Sequence, residues 1–244
     1  MLVESIAAGG GISFGALFAN TWSIYKKHFL PIIGLTVICV LPGFFFGLFN
    51  PDPVKEPGEA LKELAVFYVI GMILTTLSFL AVSVYIGAAV AGNPVSFTDA
   101  VNKACSRMPA GITTGLLTIV MLLGWFLLLF IPGLIKSVRY SFVMQAVALR
   151  GAGNMAAVRC SQRVVEDFWW VTVFASVMLS LPGLIVAAAL ELISGPDGDG
   201  IVFSLALLSI SIMGTGFWHT GNTLLFLGLE RIKNNAAVID GVPN

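Results

Sequence analysis

Four polar or charged side chains lie within stretches that are otherwise apolar, and they are the first candidates for chemistry. His219 and Asn222 occur near the end of a long apolar run, in the segment 214–222 (GTGFWHTGN). Lys136 and Arg139 occur in a shorter apolar run and are three residues apart, which places them on one face of a helix. Because an ionisable residue at membrane depth is a functional hypothesis by default, we predict these four as ligand-binding residues.

Each pair also has a structural interpretation. His219 and Asn222 could instead hydrogen-bond to neighbouring helices as packing contacts, each contributing about 0.6 kcal/mol on average. Packing is the simpler interpretation for both. Lys136 and Arg139 either meet an anionic headgroup or substrate, or extend their long side chains to the membrane surface. For this pair, too, the structural interpretation is favoured.

The sequence contains few residues that could form a catalytic or metal-binding site. The chain has two histidines, and its five most apolar stretches contain no Asp or Glu, although Glu191 and Glu230 lie just beyond their ends. The three cysteines have neither C-x-x-C spacing nor nearby paired histidines: Cys39, Cys105 and Cys160. We therefore predict that the chain is not an enzyme and has no catalytic residue, no cofactor and no metal site.

The composition indicates where such a chain resides. Hydrophobic residues make up 57% of the 244 positions and charged residues only 11%, whereas roughly a quarter of a soluble domain is charged. The 13 Lys and Arg balance the 13 Asp and Glu, so no net charge attracts nucleic acid. Together with a mean hydropathy of +0.95, this predicts a polytopic membrane protein whose partner is the lipid bilayer.

Apolar stretches of about 20 residues with few charges predict transmembrane helices, because charge and open backbone are costly in hydrocarbon. Six are predicted: 29–49, 64–90, 112–131, 133–149, 168–190 and 201–229. The fourth is the shortest and contains both Lys136 and Arg139. Three shorter segments with one apolar and one charged face predict amphipathic helices in the membrane interface: 13–27, 96–108 and 154–167. The prediction is one all-α domain over 1–244.

The order of these segments predicts a threefold repeat of one interfacial helix and two spans. From the start of each interfacial helix to the proline of a following span there are 29, 36 and 28 residues, so the middle unit is longer. Nine of the 13 Lys and Arg fall on one side, which predicts that this side and both termini are cytoplasmic. Acidic residues of 52–63 and 191–199 fall on the other side. Without the fourth span the division is still nine to four, with the amino terminus outside, and the repeat favours six spans.

Several motifs resemble one known family. The chain is similar to the membrane domain attached to some bacterial glycerophosphoryl diester phosphodiesterases, and to related free-standing inner-membrane proteins of unknown function. The residues that carry this resemblance are 13–29 (SFGALFANTWSIYKKHF), 94–97 (PVSF), 131–133 (IPG), 138–142 (VRYSF), 156–161 (AAVRCS) and 168–170 (FWW). It implies a six-span bundle with interfacial helices. The catalytic barrel is absent from this sequence, so its activity is not carried over, and Arg150 stands where an acidic residue is expected.

From these observations we expect a non-enzymatic protein of the cytoplasmic (inner) membrane that organises the envelope or binds a membrane partner. Its basic interfacial helices would attract anionic lipid headgroups. The alternative is a carrier or channel for a small or lipidic anion. Pro-Gly breaks at corresponding places in two spans, together with Lys136 and Arg139, argue for that alternative.

Overall fold

The computed structural model describes residues 2–7, 11–48, 57–194 and 201–239, and every regular element in these ranges is an α-helix. The helices are α1 (Leu2–Ile6), α2 (Phe14–Lys27), α3 (Phe29–Leu48), α4 (Pro57–Val90), α5 (Phe97–Leu128), α6 (Phe130–Arg139), α7 (Val143–Arg150), α8 (Met155–Val165), α9 (Trp169–Ser194) and α10 (Ile201–Ile239). Most of the expected acidic outer loops falls in 49–56 and 195–200, outside the described residues.

Four of these helices are long and apolar enough to cross a membrane. The qualifying segments, in α4, α5, α9 and α10, are Ala65–Val90, Phe97–Leu128, Trp169–Ile193 and Val202–Asn235. A fifth crossing results if α2 and α3, which meet at an angle of 92°, form one broken span. The chain is therefore an all-helical, multi-pass membrane protein, which confirms the class that the composition predicted.

Serine caps begin two of the helices. The hydroxyl of Ser13 accepts a hydrogen bond from the backbone N–H of Ala16, and α2 begins at the next residue, Phe14. Ser96 accepts from the N–H of Asp99 at 3.1 Å, and its hydroxyl donates to the Asp99 carboxylate at 2.6 Å. The Ser96 hydroxyl thereby satisfies a backbone donor that the helix itself leaves unpaired.

The helix that follows Ser96 differs from the prediction. The expected interfacial helix 96–108 and span 112–131 are one continuous helix, α5, with Pro109 inside it. A proline removes one helical hydrogen bond and disfavours a helix interior. Just beyond the proline, Gly111 lies buried against Leu80 and Thr76 of α4, so α5 packs closely on α4 at this point.

The expected span 133–149 also differs, because it is divided into α6 and α7. These helices have 10 and 8 residues, about 15 and 12 Å at 1.5 Å per residue, and neither alone crosses a bilayer. The helix breaks at Phe142, whose N–H donates to the hydroxyl of Ser161 at 3.1 Å. That hydroxyl donates in turn to the carbonyl of Arg139 at 2.8 Å. A side chain of α8 therefore takes the place of a backbone hydrogen bond, which periodicity along the chain cannot reveal.

The helix bundle has two ends that differ in how many side chains are buried. At the packed end, buried side chains recur through 76–86 of α4, 100–114 of α5, α7, α8, 172–179 of α9 and 216–229 of α10. At the open end, no side chain is buried in 65–75 of α4, 115–128 of α5, 180–193 of α9 or 202–213 of α10. The core therefore lies where α1, α2, α7 and α8 pack around the long helices.

The apolar face expected for α8 is present, but protein covers it. Val158, Ser161, Val164 and Val165 are at most 3% exposed, and α8 packs on α7 and α10. The first interfacial helix, α2, has a divided apolar surface. It buries Leu17, Thr21, Ile24 and Tyr25, and it exposes Phe14, Phe18 and Trp22.

Candidate functional site

The structure places the four predicted ligand residues in two separate places. Lys136 and Arg139 lie in the last turn of α6, whereas His219 and Asn222 lie in the buried part of α10. Within the described ranges, no hydrogen bond, ion pair or ring contact joins one pair to the other. They therefore form two candidate sites.

The α6 site combines an aromatic contact with an unpaired donor. The Nζ atom of Lys136 lies 4.9 Å from the ring centroid of Trp125, a cation–π contact of about 0.5–1 kcal/mol where solvent reaches it. The Nε atom of Arg139 is buried and has no hydrogen-bond partner among the described residues. Lys136 thus has a partner within the protein, and Arg139 keeps a free donor beside the break between α6 and α7.

His219 is enclosed by aromatic rings. It is 5% exposed, and its ring centroid lies 4.4 Å from that of Phe79 and 5.3 Å from that of Trp218. The Nδ1 atom is buried without a hydrogen-bond partner in the described part of the chain. An unpaired polar atom in such surroundings is costly, so His219 is the polar residue of α10 that packing alone explains least.

Asn222, one turn further along α10, is hydrogen-bonded on both sides of its amide. Its Nδ2 donates to the carbonyl of Trp218 at 3.0 Å, and its Oδ1 accepts from the hydroxyl of Ser176 on α9 at 3.3 Å. Asn222 is 3% exposed. Its contacts are those of an interhelical packing residue, unlike those of His219.

A third site, which the sequence did not single out, is a cavity of about 610 Å³ among α4, α5, α7 and α10. We call it the basic cavity, because Lys103, Arg150 and Arg231 line it together with one carboxylate, Glu230. From the distribution of positive charge along the sequence, we expect all three cations on one side of the membrane. Only the packing of four helices brings them to one cavity.

Two of these cations are paired and one is free. Arg150 donates from Nε to Glu230 at 2.7 Å and from Nη2 to the other oxygen of the same carboxylate, and Arg231 donates to Glu4 at 2.6 Å. Lys103 has no carboxylate partner among the described residues. The unexpected arginine at position 150 is thus the partner of Glu230, and Lys103 is the cation available to an incoming anion.

Two further polar groups at the packed end have defined surroundings. Partial burial, and secondly the nearby charge of Glu230, raise the pKa of the Cys160 thiol above its ordinary value. His28, at the junction of α2 and α3, shares a hydrogen bond of 3.0 Å between its Nδ1 and the hydroxyl of Tyr85. His28 therefore joins α4 to this junction.

Among the described residues, no group of three or more His, Cys, Asp or Glu side chains is arranged to hold a metal ion. No protein-family model, curated protein or solved structure matches the chain.

Proposed function

We propose that this chain is a non-enzymatic membrane protein that binds the anionic headgroups of phospholipids at its basic cavity, and that it thereby organises the membrane or holds a membrane partner. The basic cavity, with Lys103 free of a carboxylate, is the observation that carries this proposal. Basic pockets between transmembrane helices suit phosphate headgroups, and each nearby cation contributes about 1 kcal/mol.

The charges around the basic cavity leave a surplus of positive charge. Lys103, Arg150 and Arg231 line it, and the guanidinium of Arg107 donates to the carbonyl of Ala148 in its wall. Against these four cations stand the carboxylates of Glu230 and Glu4, which leaves two positive charges. An arginine that is already bound to one oxygen anion retains N–H donors for a second. A phosphate group can therefore bind without breaking either ion pair.

The test is native mass spectrometry of the purified protein in detergent, titrated with phosphatidylglycerol or zwitterionic phosphatidylcholine. Lys103→Gln is expected to weaken binding of phosphatidylglycerol about fivefold, as the loss of one cation near 1 kcal/mol implies. Lys27→Gln is the matched control, because Lys27 is an exposed lysine that does not line the cavity. An equal effect of both substitutions would show attraction by the whole surface without a site. Displacement of the lipid by inorganic phosphate alone would point to a soluble anion.

The non-enzymatic part of the proposal rests on the sparse inventory of catalytic groups in the apolar stretches. Turnover of a phospholipid or phosphodiester by the purified protein, abolished by His219→Ala, would overturn it.

We further propose six crossings, with α6 and α7 together as the fourth. Three contacts support an antiparallel course of this pair beside α5: Gly133 with Phe126, Met144 with Gly115, and Gly151 with Arg107. The matching stretch of α5, 107–126, rises about 28 Å, which is close to the hydrocarbon thickness of about 30 Å. Irregular backbone at membrane depth is tolerated where protein buries it. The break at Phe142 meets this condition, because Phe142 is fully buried and Ser161 bonds its N–H.

Six crossings, with α3 as the first, return both termini to one side. The excess of Lys and Arg on that side supports a cytoplasmic orientation in a bacterial inner membrane. The order of short and long helices in 13–90 and 154–229 supports the proposed repeat and the resemblance to the phosphodiesterase-associated membrane domain. An impermeant thiol reagent is then expected to miss Cys105 and Cys160 in intact cells and to reach them in inverted vesicles. Labelling of Cys160 from outside would exclude this topology.

The alternative function is a carrier or channel for an anion, and the buried, unpaired Nε of Arg139 at a helix break favours it. Broken helices form substrate sites in several transporters. Reconstituted proteoliposomes are expected to show anion flux that is lost in the double variant Lys136→Ala, Arg139→Ala. Absence of flux, or flux unchanged by both substitutions, would exclude this alternative.

A further inference from the structure

A second cavity lies between α9 and α10 and shares no lining residue with the basic cavity. Its volume is about 500 Å³, within the range of small-molecule sites. Gly183 and Gly214 bring the two helices together beside it, since a Cβ built on either glycine would lie 3.2 Å from the Cα of the other. This contact lets the two helices approach closely beside the cavity.

Polar side chains line this cavity from both helices. On α10, Ser211, Thr215 and His219 follow one another at intervals of four residues, which keeps them on one face. Ser180 faces them from α9. The hydroxyl of Ser180 donates to its own helix, at the carbonyl of Val177, whereas His219 has a buried ring nitrogen without a partner. The wall of the cavity therefore carries hydrogen-bonding side chains, and one of them, His219, is nine-tenths buried with a ring nitrogen that has no partner among the described residues.

The charges on the wall define the ligand further. No Lys, Arg, Asp or Glu belongs to the described residues that line this cavity. A charged group there would remain unpaired in a medium of low polarity, which is costly. The remaining wall is mostly apolar and includes Leu184, Ala187 and Trp218. The ligand is therefore uncharged, with a small hydrogen-bonding head and an apolar body.

The position of the cavity indicates where the ligand comes from. Both of its helices are candidate membrane spans. Leu184 on its wall is 63% exposed, so this part of α9 faces the lipid. Access is from the hydrocarbon phase, which only a lipid-soluble molecule reaches.

We propose that this cavity binds an uncharged amphiphile of the membrane, with one apolar chain and a hydroxyl or carbonyl head that hydrogen-bonds to His219. This site differs from the basic cavity in position and in ligand charge, and it does not depend on the headgroup binding proposed above. Monoacylglycerol has the chemistry required and serves as the probe.

The experiment is photocrosslinking in nanodiscs with two probes that carry the same diazirine-labelled chain, one a monoacylglycerol and the other a hydrocarbon without a head. The monoacylglycerol is expected to label the peptides around 180–187 and 211–219. The variant His219→Phe keeps an aromatic ring beside Phe79 and Trp218 and removes both nitrogens. It is expected to reduce labelling by monoacylglycerol about two- to tenfold, the range of one neutral hydrogen bond, and to leave labelling by the hydrocarbon unchanged.

A matched pair of serines tests the location. Ser211→Phe fills the cavity and is expected to abolish labelling by monoacylglycerol. Ser209→Phe adds the same ring two residues away, on an exposed position that does not line the cavity, and is expected to have no effect. Equal labelling in all variants, spread over the lipid-exposed helices, would show contact with bulk lipid only and would overturn the proposal. Competition by a fatty acid in its charged form as effective as that by monoacylglycerol would overturn the assignment of an uncharged head.

Discussion

In α10 the more apolar half is not buried, whereas the more polar half is. Residues 202–213 are largely aliphatic, and none of them is buried. Residues 216–229 include three glycines and the polar residues His219, Thr220, Asn222 and Thr223, yet all of this half is buried except Trp218 and Leu227. In a soluble protein the more apolar half would form the core.

This difference between the two halves of α10 arises because the solvent of a membrane protein is lipid. Lipid chains are as apolar as leucine, so hydrophobicity does not drive helices together in a bilayer, and close packing and interhelical hydrogen bonds do. The packed half has the small residues for close approach: Gly216 lies against Ile32 and Thr36 of α3, and Gly221 against Leu179 of α9. Of the polar residues in this half, Asn222 and Thr223 hydrogen-bond to Ser176 of α9 and Ser83 of α4 and so help to hold the bundle together.

The largest change in stability is expected when one bulky side chain is removed from each half in turn. Phe226→Ala empties a fully buried position beside Phe142 and is expected to destabilise the protein by about 3–5 kcal/mol. Leu205→Ala changes a side chain that is 47% exposed, with an expected effect within about 0.5 kcal/mol. Thermal unfolding in detergent measures both. Equal losses would contradict the division into a packed and an open end.

Replacing a glycine by alanine is expected to lower stability at the packed end and to raise it at the open end. At Gly221 an added Cβ would lie 2.4 Å from a methyl carbon of buried Leu179, so Gly221→Ala is expected to cost about 1–3 kcal/mol. Gly124, at the open end of α5, has nothing within 4 Å of an added Cβ. There, alanine is expected to stabilise the helix by up to about 1 kcal/mol. The same unfolding measurement applies, and a loss of stability in Gly124→Ala would indicate that a neighbour covers this position.

The break between α6 and α7 gives a test based on hydrogen bonds. Ser161→Ala leaves the buried N–H of Phe142 without a partner, at an expected cost of about 1–3 kcal/mol. Ser141→Ala is the control, because Ser141 is exposed and bonds only the carbonyl of Val138 three residues earlier. Its effect is expected to stay within about 0.5 kcal/mol. Similar melting temperatures for both variants would show that Ser161 does not hold the break.

The smallest effect concerns the reactivity of a thiol at the packed end. A raised pKa means that Cys160 has less thiolate at a given pH, and the thiolate is the reactive form. Alkylation of Cys160 is therefore expected to be slower than that of an unperturbed thiol at pH 8 and to keep rising at higher pH. Since the charge of Glu230 contributes to the raised pKa, Glu230→Gln should accelerate alkylation. Mass spectrometry of the labelled protein gives both rates, and a slower reaction in the variant would contradict this electrostatic contribution.

Several features of the fold could be read from local patterns along the chain. The long apolar stretches predicted the four long helices of the candidate spans, and the polarity pattern of 96–108 predicted a helix that begins near Ser96. The apolar face of α8 followed from helical periodicity, whereas its burial against α7 and α10 did not. All of the predicted features depend on residues close together in sequence. The continuity of α5 through Pro109 did not follow, because a proline disfavours a helix interior and so predicts a break there.

For the candidate sites, too, local sequence patterns identified residues but not their partners. Both histidines and the basic residues could be found by type, but His28 and Arg150 acquired their partners, Tyr85 and Glu230, from helices 57 and 80 residues away. No local pattern links such positions. The sequence by itself determined the membrane class and the location of charge along the chain, since both depend on the free energy of transferring each segment into lipid. Only the tertiary structure decided which cations share a cavity and which histidine nitrogen is left unpaired, because both depend on the packing of distant helices.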